Sequence, residues 1–205
     1  MSGNANGNGN GISRADFAAI AAWIKPGARV LDLGCGDGSL LQFLAQTRKV
    51  HGYGVEISDE KVLACVKNGV NVIQGDLERG LAEFEDRSFD YVILSQTIQA
   101  VKNSERIIKD MLRVGREGIV TFPNFGYWKN RLHVVTGHMP VSENLPYQWF
   151  DTPNVHLCTI ADFERFCEER RIRIVERKVL TNGAAVTFLP NLRGALAIYH
   201  FGNGG

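Results

Sequence analysis

No stretch of this chain approaches the roughly 20 consecutive apolar residues that a bilayer-spanning helix requires, and its start lacks the basic and apolar pattern of a secretory signal. Charge of one sign is also missing. With 23 Lys and Arg against 22 Asp and Glu, the formal net charge is +1, which provides neither a nucleic-acid footprint nor attraction to an anionic membrane. Cys35, Cys65, Cys158 and Cys167 form no CxxC pair and no zinc spacing, so four reduced thiols in a cytoplasmic protein are expected. His133, His138 and His156 lack the i, i+4 pairing of metal ligands, and no metal is expected; one of them could still serve as a general base. No GKS or GKT follows a glycine turn, which excludes a P-loop.

What is present begins at residues 30–38, Val-Leu-Asp-Leu-Gly-Cys-Gly-Asp-Gly. Val30, Leu31 and Leu33 around Asp32 have the apolar character of a parallel strand buried on both faces. Gly34, Gly36 and Gly38 then allow positive φ angles and close approach of a ligand to the main chain. Leu40, Leu41, Phe43 and Leu44 follow at helical spacing, so the unpaired N–H groups of that helix point back at the turn. The spacing is GxGxG, with Ser39 where the third glycine of the nicotinamide GxGxxG fingerprint would stand. Such a turn suits an adenine nucleoside.

A second strand, within His51–Ser58, ends in Glu56, whose carboxylate can accept hydrogen bonds from both hydroxyls of a ribose. A third, Val70–Gln74, leads into Gly75-Asp76-Leu77; Asp76 either reads a ligand or caps the following segment. The fourth is Phe89–Ser95. Cys35 lies at a helix N-terminus, where thiol pKa values can fall, although a small filler is its plainer role.

Residues 1–11 are a Gly/Asn-rich tail expected to be disordered, and 12–205 read as a single domain. Strands and helices alternate, which argues for a parallel sheet covered on both faces. Phe17, Ile20, Ala21 and Ile24 mark an opening amphipathic helix. Asp59 and Glu60 start a helix that Gly69 stops, and Thr159 with Asp162 forms a capping-box-like start. Strand five is Gly118–Phe122, and two closing strands fall at about 172–180 and 195–201. Arg170, Arg171, Arg173 and Arg177 read as a solvated edge that discourages strand pairing.

Residues 123–158 differ in texture, holding four of the six prolines together with Phe125, Tyr127, Trp128, Tyr147, Trp149 and Phe150. Long irregular segments are usually lids or binding loops, and this one is expected over the C-terminal strand ends, beside the ligand. These aromatics either roof the sheet or form a protein interface.

The pattern Asp32-x-Gly34-x-Gly36-x-Gly38, followed in order by Glu56, Asp76 and the Phe89–Ser95 strand, resembles class I S-adenosylmethionine-dependent methyltransferases. That resemblance implies a Rossmann-like α/β fold with a seven-stranded sheet, one closing strand antiparallel. It further implies an S-adenosyl-L-methionine or S-adenosylhomocysteine site drawn from Asp32, Gly34, Cys35, Gly36, Gly38, Glu56, Ile57, Asp76, Leu77 and Ser95. No catalytic residue is assigned. The Asn/Asp-Pro-Pro-Tyr segment of amino-group methyltransferases is replaced by Ser95-Gln-Thr-Ile98, which argues against nucleic-acid or glutamine N-methylation. Within the superfamily, Gly118–Trp128, Met139–Ser142, Leu145–Tyr147, Trp149–Asn154, His156–Thr159 and Ser95–Ala100 are similar to the MetW family of methionine biosynthesis proteins. Membership implies association with, and support of, a homoserine O-acyltransferase. An active small-molecule methyltransferase is the alternative, and a nicotinamide dehydrogenase a more distant one.

Overall fold

The computed structural model describes residues 12–204; the tail 1–11 lies outside the described residues. Along the chain run α1 (Ile12–Ala21), β1 (Arg29–Leu33), α2 (Ser39–Arg48), β2 (His51–Glu56), α3 (Asp59–Lys67), β3 (Asn71–Gln74), β4 (Phe89–Ser95), α4 (Ser104–Val114) and β5 (Gly115–Pro123). Then follow α5 (Trp128–Val135), α6 (Ile160–Glu169), β6 (Ile172–Thr181), β7 (Ala184–Ala185), α7 (Pro190–Arg193) and β8 (Leu196–Asn203). Short 3-10 turns occupy Leu77–Arg79 and Ile98–Ala100.

Alternation within each strand explains the layering. In β1, Leu31 and Leu33 pack with Ile107, Met111 and Phe163 from α4 and α6, while Val30 packs on the other face with Ile20, Leu41 and Leu44 from α1 and α2. The strand is buried on both faces, as its apolar run requires. The order is β3-β2-β1-β4-β5-β8-β6-β7. The first five strands are parallel, and β8 enters antiparallel between β5 and β6. This is the Rossmann-like methyltransferase arrangement, with eight strands rather than seven. The extra strand has a local cause: Asn182 and Gly183 both have positive φ, 51° and 77°, so they form a two-residue hairpin that folds Ala184–Ala185 back on Leu180–Thr181.

Two expected boundaries agree with their physical causes. Gly69 ends α3 with φ of 70°, and Thr159 Oγ1 accepts the Asp162 N–H at 3.2 Å to start α6. The arginine-rich β6 is an edge except where β7 covers its end; Arg170 pairs with Glu105 at 2.7 Å, and Arg177 pairs with Glu164. Residues 123–158 leave the sheet after β5 and return at α6. Their ends are pinned together by the Phe125 N–H donating to the Cys158 carbonyl at 2.9 Å. Buried Asn124 reinforces the junction: Oδ1 accepts from the Gly126 and Ile160 N–H groups, and Nδ2 donates to the Asn191 and Gly194 carbonyls.

Candidate functional site

The carboxyl ends of the parallel strands carry the site, where β1 and β4, neighbours in the sheet, lead to opposite sides of it. Leaving β1, the chain turns through Gly34, Gly36 and Gly38 with φ of 69°, 59° and 80°. The turn is fastened to β2 by the Gly34 and Cys35 N–H groups, which donate to the Val55 carbonyl at 2.8 and 3.1 Å. At Gly34 a Cβ would come within 2.8 Å of the Thr97 side chain, and at Gly38 within 2.9 Å of Val70. Gly36 faces open space.

Glu56, buried at the end of β2, organises this turn. Its Oε2 accepts the Gly36 N–H at 3.0 Å, while Oε1 accepts the Ile57 and Ser58 N–H groups at 2.9 and 3.0 Å. Asp32 is buried beside it, and its Oδ1 has no hydrogen-bond partner. Burial, and then the charge of Glu56, push the Asp32 carboxyl up to about 8. Cys35 does not behave as an activated thiol at a helix start: burial, with neighbouring acids and Cys65, drives its pKa upward. Its Sγ lies 3.7 Å from that of Cys65. Filler is therefore the role its surroundings support.

Asp76 both borders the site and caps the turn after β3, accepting the Glu78 N–H at 2.9 Å. The cleft has a volume of about 600 Å³. Of the residues expected from sequence, Gly34, Glu56, Ile57, Asp76 and Leu77 line it. Asp32, Cys35, Gly36 and Gly38 are not among its walls; they build the turn behind Gly34. Ser95 is not a wall residue either: its hydroxyl lies 3.2 Å from Thr121 Oγ1, and its carbonyl accepts from Thr97 Oγ1.

Two further walls lie outside the site residues expected by number, one of them from the segment expected as a lid. One is the segment after β4, with Gln96, Thr97 and Gln99. Gln96 is held at φ of 48° by donating its N–H to Thr121 Oγ1 at 2.9 Å, and its Nε2 reaches Asp16 Oδ2 at 3.4 Å. Burial pushes Asp16 up to about 6. The other wall comes from residues 123–158 and includes Glu143, Asn144, Tyr147 and Asn154. The two walls are joined: the Val155 and His156 N–H groups donate to the Gln99 carbonyl at 2.9 and 3.0 Å, and His156 Nε2 donates to the Lys102 carbonyl at 2.9 Å.

The aromatics of this segment divide. Tyr127 is buried and Phe125 half-buried, whereas Trp128, Trp149 and Phe150 are 46%, 73% and 70% exposed. Trp149 and Phe150 meet edge to face with centroids 5.7 Å apart. Phe150 is thus turned mostly to solvent, whereas Trp128 is about half covered and its ring meets buried Tyr127 edge to face. Among the described residues no group of three His, Cys, Asp or Glu is arranged to hold a metal ion, and no helix is long and apolar enough to cross a membrane.

Comparison with known proteins extends this picture. The profile of a family described as "Methionine biosynthesis protein MetW" matches residues 14–201. A relative from Rhodopirellula baltica, named bifunctional methionine biosynthesis protein MetXA/MetW, is 43% identical over 157 residues, covering 72% of this chain and 25% of that protein. The ubiquinone biosynthesis O-methyltransferase of Hahella chejuensis is 33% identical over 117 residues, 53% of this chain and 47% of its own length. The chain thus spans a quarter to about half of these relatives. Among solved structures, a possible histamine N-methyltransferase from Thermotoga maritima, titled SAM-dependent, superposes with a TM-score of 0.67 at 19% identity, covering 94% of this chain and 89% of that one. A complex of the Haloferax volcanii Trm112 methyltransferase activator with a putative methyltransferase gives 0.70 at 16% identity, covering 96% and 91%.

Proposed function

The chain belongs to the MetW family of methionine biosynthesis proteins, and from that premise we propose that it is an S-adenosyl-L-methionine-binding subunit that associates with and supports a homoserine O-acyltransferase in the cytoplasm. The observation that carries the ligand is the convergence of Gly34, Glu56 and Asp76 on one cleft at the carboxyl ends of β1, β2 and β3. The residues present fit the group. Glu56, with three acceptor positions taken by backbone, would receive a ribose hydroxyl at the fourth, and Asp76 the adenine amino group, while Asp32 stays buried behind the wall with its Oδ1 unpartnered. Bound S-adenosyl-L-methionine, or S-adenosylhomocysteine, would bring a nucleoside with a sulfonium or a thioether.

In this reading residues 12–205 form one methyltransferase-like domain, and 123–158 are its insertion and lid. Support for the partner comes from the R. baltica relative, whose name joins MetXA to MetW. Trp149 and Phe150 supply an exposed aromatic pair of the kind that anchors interfaces. The test is to assay a homoserine O-acyltransferase alone and with this protein, and to purify the two together through a tag on one. Stimulation and co-purification are expected. Equal activity with and without the protein, together with separate elution, would overturn the reading.

One observation favours a second reading, an active small-molecule methyltransferase. Gly34, Glu56 and Asp76 stand together on the cleft, the set a methyltransferase would use to hold its methyl donor beside an acceptor. Transfer of label from S-adenosyl-L-methionine to small hydroxyl, thiol or amine acceptors is its assay.

A further inference from the structure

One face of α5 is left uncovered. At about 100° per residue, Trp128, Leu132 and Val135 lie within about 60° of one another around the helix, and Asn130 points the opposite way. The structure follows that division. Asn130 is buried and donates Nδ2 to the Asn124 carbonyl at 3.2 Å, whereas Trp128, Leu132 and Val135 are exposed, Val135 by 83%. Val134 and Met139 are exposed as well. The flanks of the stripe carry one sign of charge. By the same count Lys129 falls to one side and Arg131 to the other. Arg131 donates Nε to the Gly126 carbonyl at 2.6 Å and Lys129 Nζ lies 5.9 Å from the Trp128 ring centroid, but neither forms an ion pair among the described residues. No acid stands in the sequence between Glu117 and Glu143.

We infer that the Trp128–Leu132–Val135 face of α5 docks the acyltransferase, seated in a groove whose apolar floor is rimmed by carboxylates. The inference rests on the partner reading above and adds a contact besides Trp149 and Phe150. Charge selects among the possible occupants. A second copy of the chain meeting this face about a two-fold axis would set Lys129 and Arg131 of each copy against those of the other, with no acid in the segment to answer them. Residues 1–11 offer only Met1 and Ala5 as apolar side chains beyond glycine, too few to cover the stripe. An anionic lipid surface would meet the cations. Yet α5 has only eight residues, with its opposite face fixed in the domain, so it has little apolar length to insert. A protein groove satisfies both features: it buries the stripe with Trp128 as an anchor and pairs the flanking cations at the rim.

Titration of a homoserine O-acyltransferase with the full chain and its variants tests this. Val135→Asp and Leu132→Asp are each expected to weaken binding at least about tenfold, because each sets a carboxylate against an apolar floor. Lys129→Glu is expected to weaken it less, chiefly through slower association, and its effect should shrink in high salt. Val135 is so exposed that Val135→Asp should melt with the parent, which separates a lost contact from a folding defect. Binding by the parent that all three variants retain would overturn this face and leave the partner reading standing. Sedimentation in which the parent self-associates and Val135→Asp does not would overturn it in favour of a second copy. Binding of the parent to phosphatidylserine vesicles, lost in the variants, would overturn it in favour of a lipid surface. An acyltransferase that the parent does not bind would remove the partner reading and the inference together.

Discussion

Replacing Glu56 by Gln tests whether this carboxylate organises the glycine turn as well as facing the cleft. In the parent, two carboxylate oxygens accept three backbone N–H groups at 2.9–3.0 Å from a buried position. A glutamine oxygen can keep Ile57 and Ser58, but the amide nitrogen then confronts the Gly36 N–H, donor against donor. One unsatisfied buried donor, with loss of the charge assistance to the others, costs about 2–3 kcal/mol. For a domain of this size that corresponds to a fall in Tm of about 4–12 °C. Work at pH 7 keeps Asp32, raised to about 8, mostly protonated, so relief of repulsion between the two acids offsets little. Thermal unfolding followed by circular dichroism measures the fall. Calorimetry with S-adenosyl-L-methionine should show at least about a tenfold weaker ribose site. A Glu56→Gln protein that melts within about 1 °C of the parent would refute the claim that the carboxylate holds the turn.

Asp76→Asn should separate the two roles of that residue, since asparagine caps as well as aspartate: Tm should hold while ligand affinity falls, and a parallel loss of both would count against a ligand contact. Asp32 gives a pH signature. Because its folded pKa of about 8 lies above the unfolded value of 3.8, the folded chain keeps a proton that the unfolded chain releases, so stability falls as pH rises between about 4 and 8. Asp16, raised to about 6, adds to the fall between about 4 and 6. Urea midpoints across about pH 5 to 8 should decline by up to the equivalent of ~1.4 kcal/mol per unit for each group titrating, and Asp32→Asn should flatten the upper half; an unchanged slope there would show that Asp32 is not the titrating group. Replacing Trp149 and Phe150 together by Ala should alter stability by less than about 0.5 kcal/mol, because both are largely exposed. The same change should abolish co-purification with the acyltransferase, and retained binding would move the interface elsewhere.

The parts of the site that were legible in the sequence are local. A strand followed by spaced glycines, an acid at the end of the next strand and another after the third are patterns within a few residues, and the sheet brings their ends together by its own geometry. Residues 123–158 were legible as a lid or binding loop over the strand ends, but the members that meet the cleft, from Glu143 to Asn154, and the wall from Gln96 to Gln99 were not, because their approach depends on contacts across the chain, such as Val155 and His156 to Gln99. Ser95 stands outside the cleft wall for a related reason. Its place at the end of β4 suggested a ligand contact, yet Thr121 on the neighbouring strand takes its hydroxyl. Asn182-Gly183 did carry a hairpin signal, and reading it would have supplied the eighth strand. Exposure of Trp128 and Phe150 could not be read at all, since composition does not say which way an irregular segment turns its rings.

The position of β8 has a consequence for the order of synthesis. Among the described residues β6 has no ladder partner except β8 and the two residues of β7, so β8, made after both of its neighbours, must arrive before that side of the sheet exists. While translation proceeds, β6 and the apolar face of β5 wait uncovered, a long-range closure of the kind that slows folding. Loss of Leu196–Asn203 would leave both β5 and β6 without their common neighbour. Chains in which β8 is missing should therefore be cleared rather than accumulate as partly active forms.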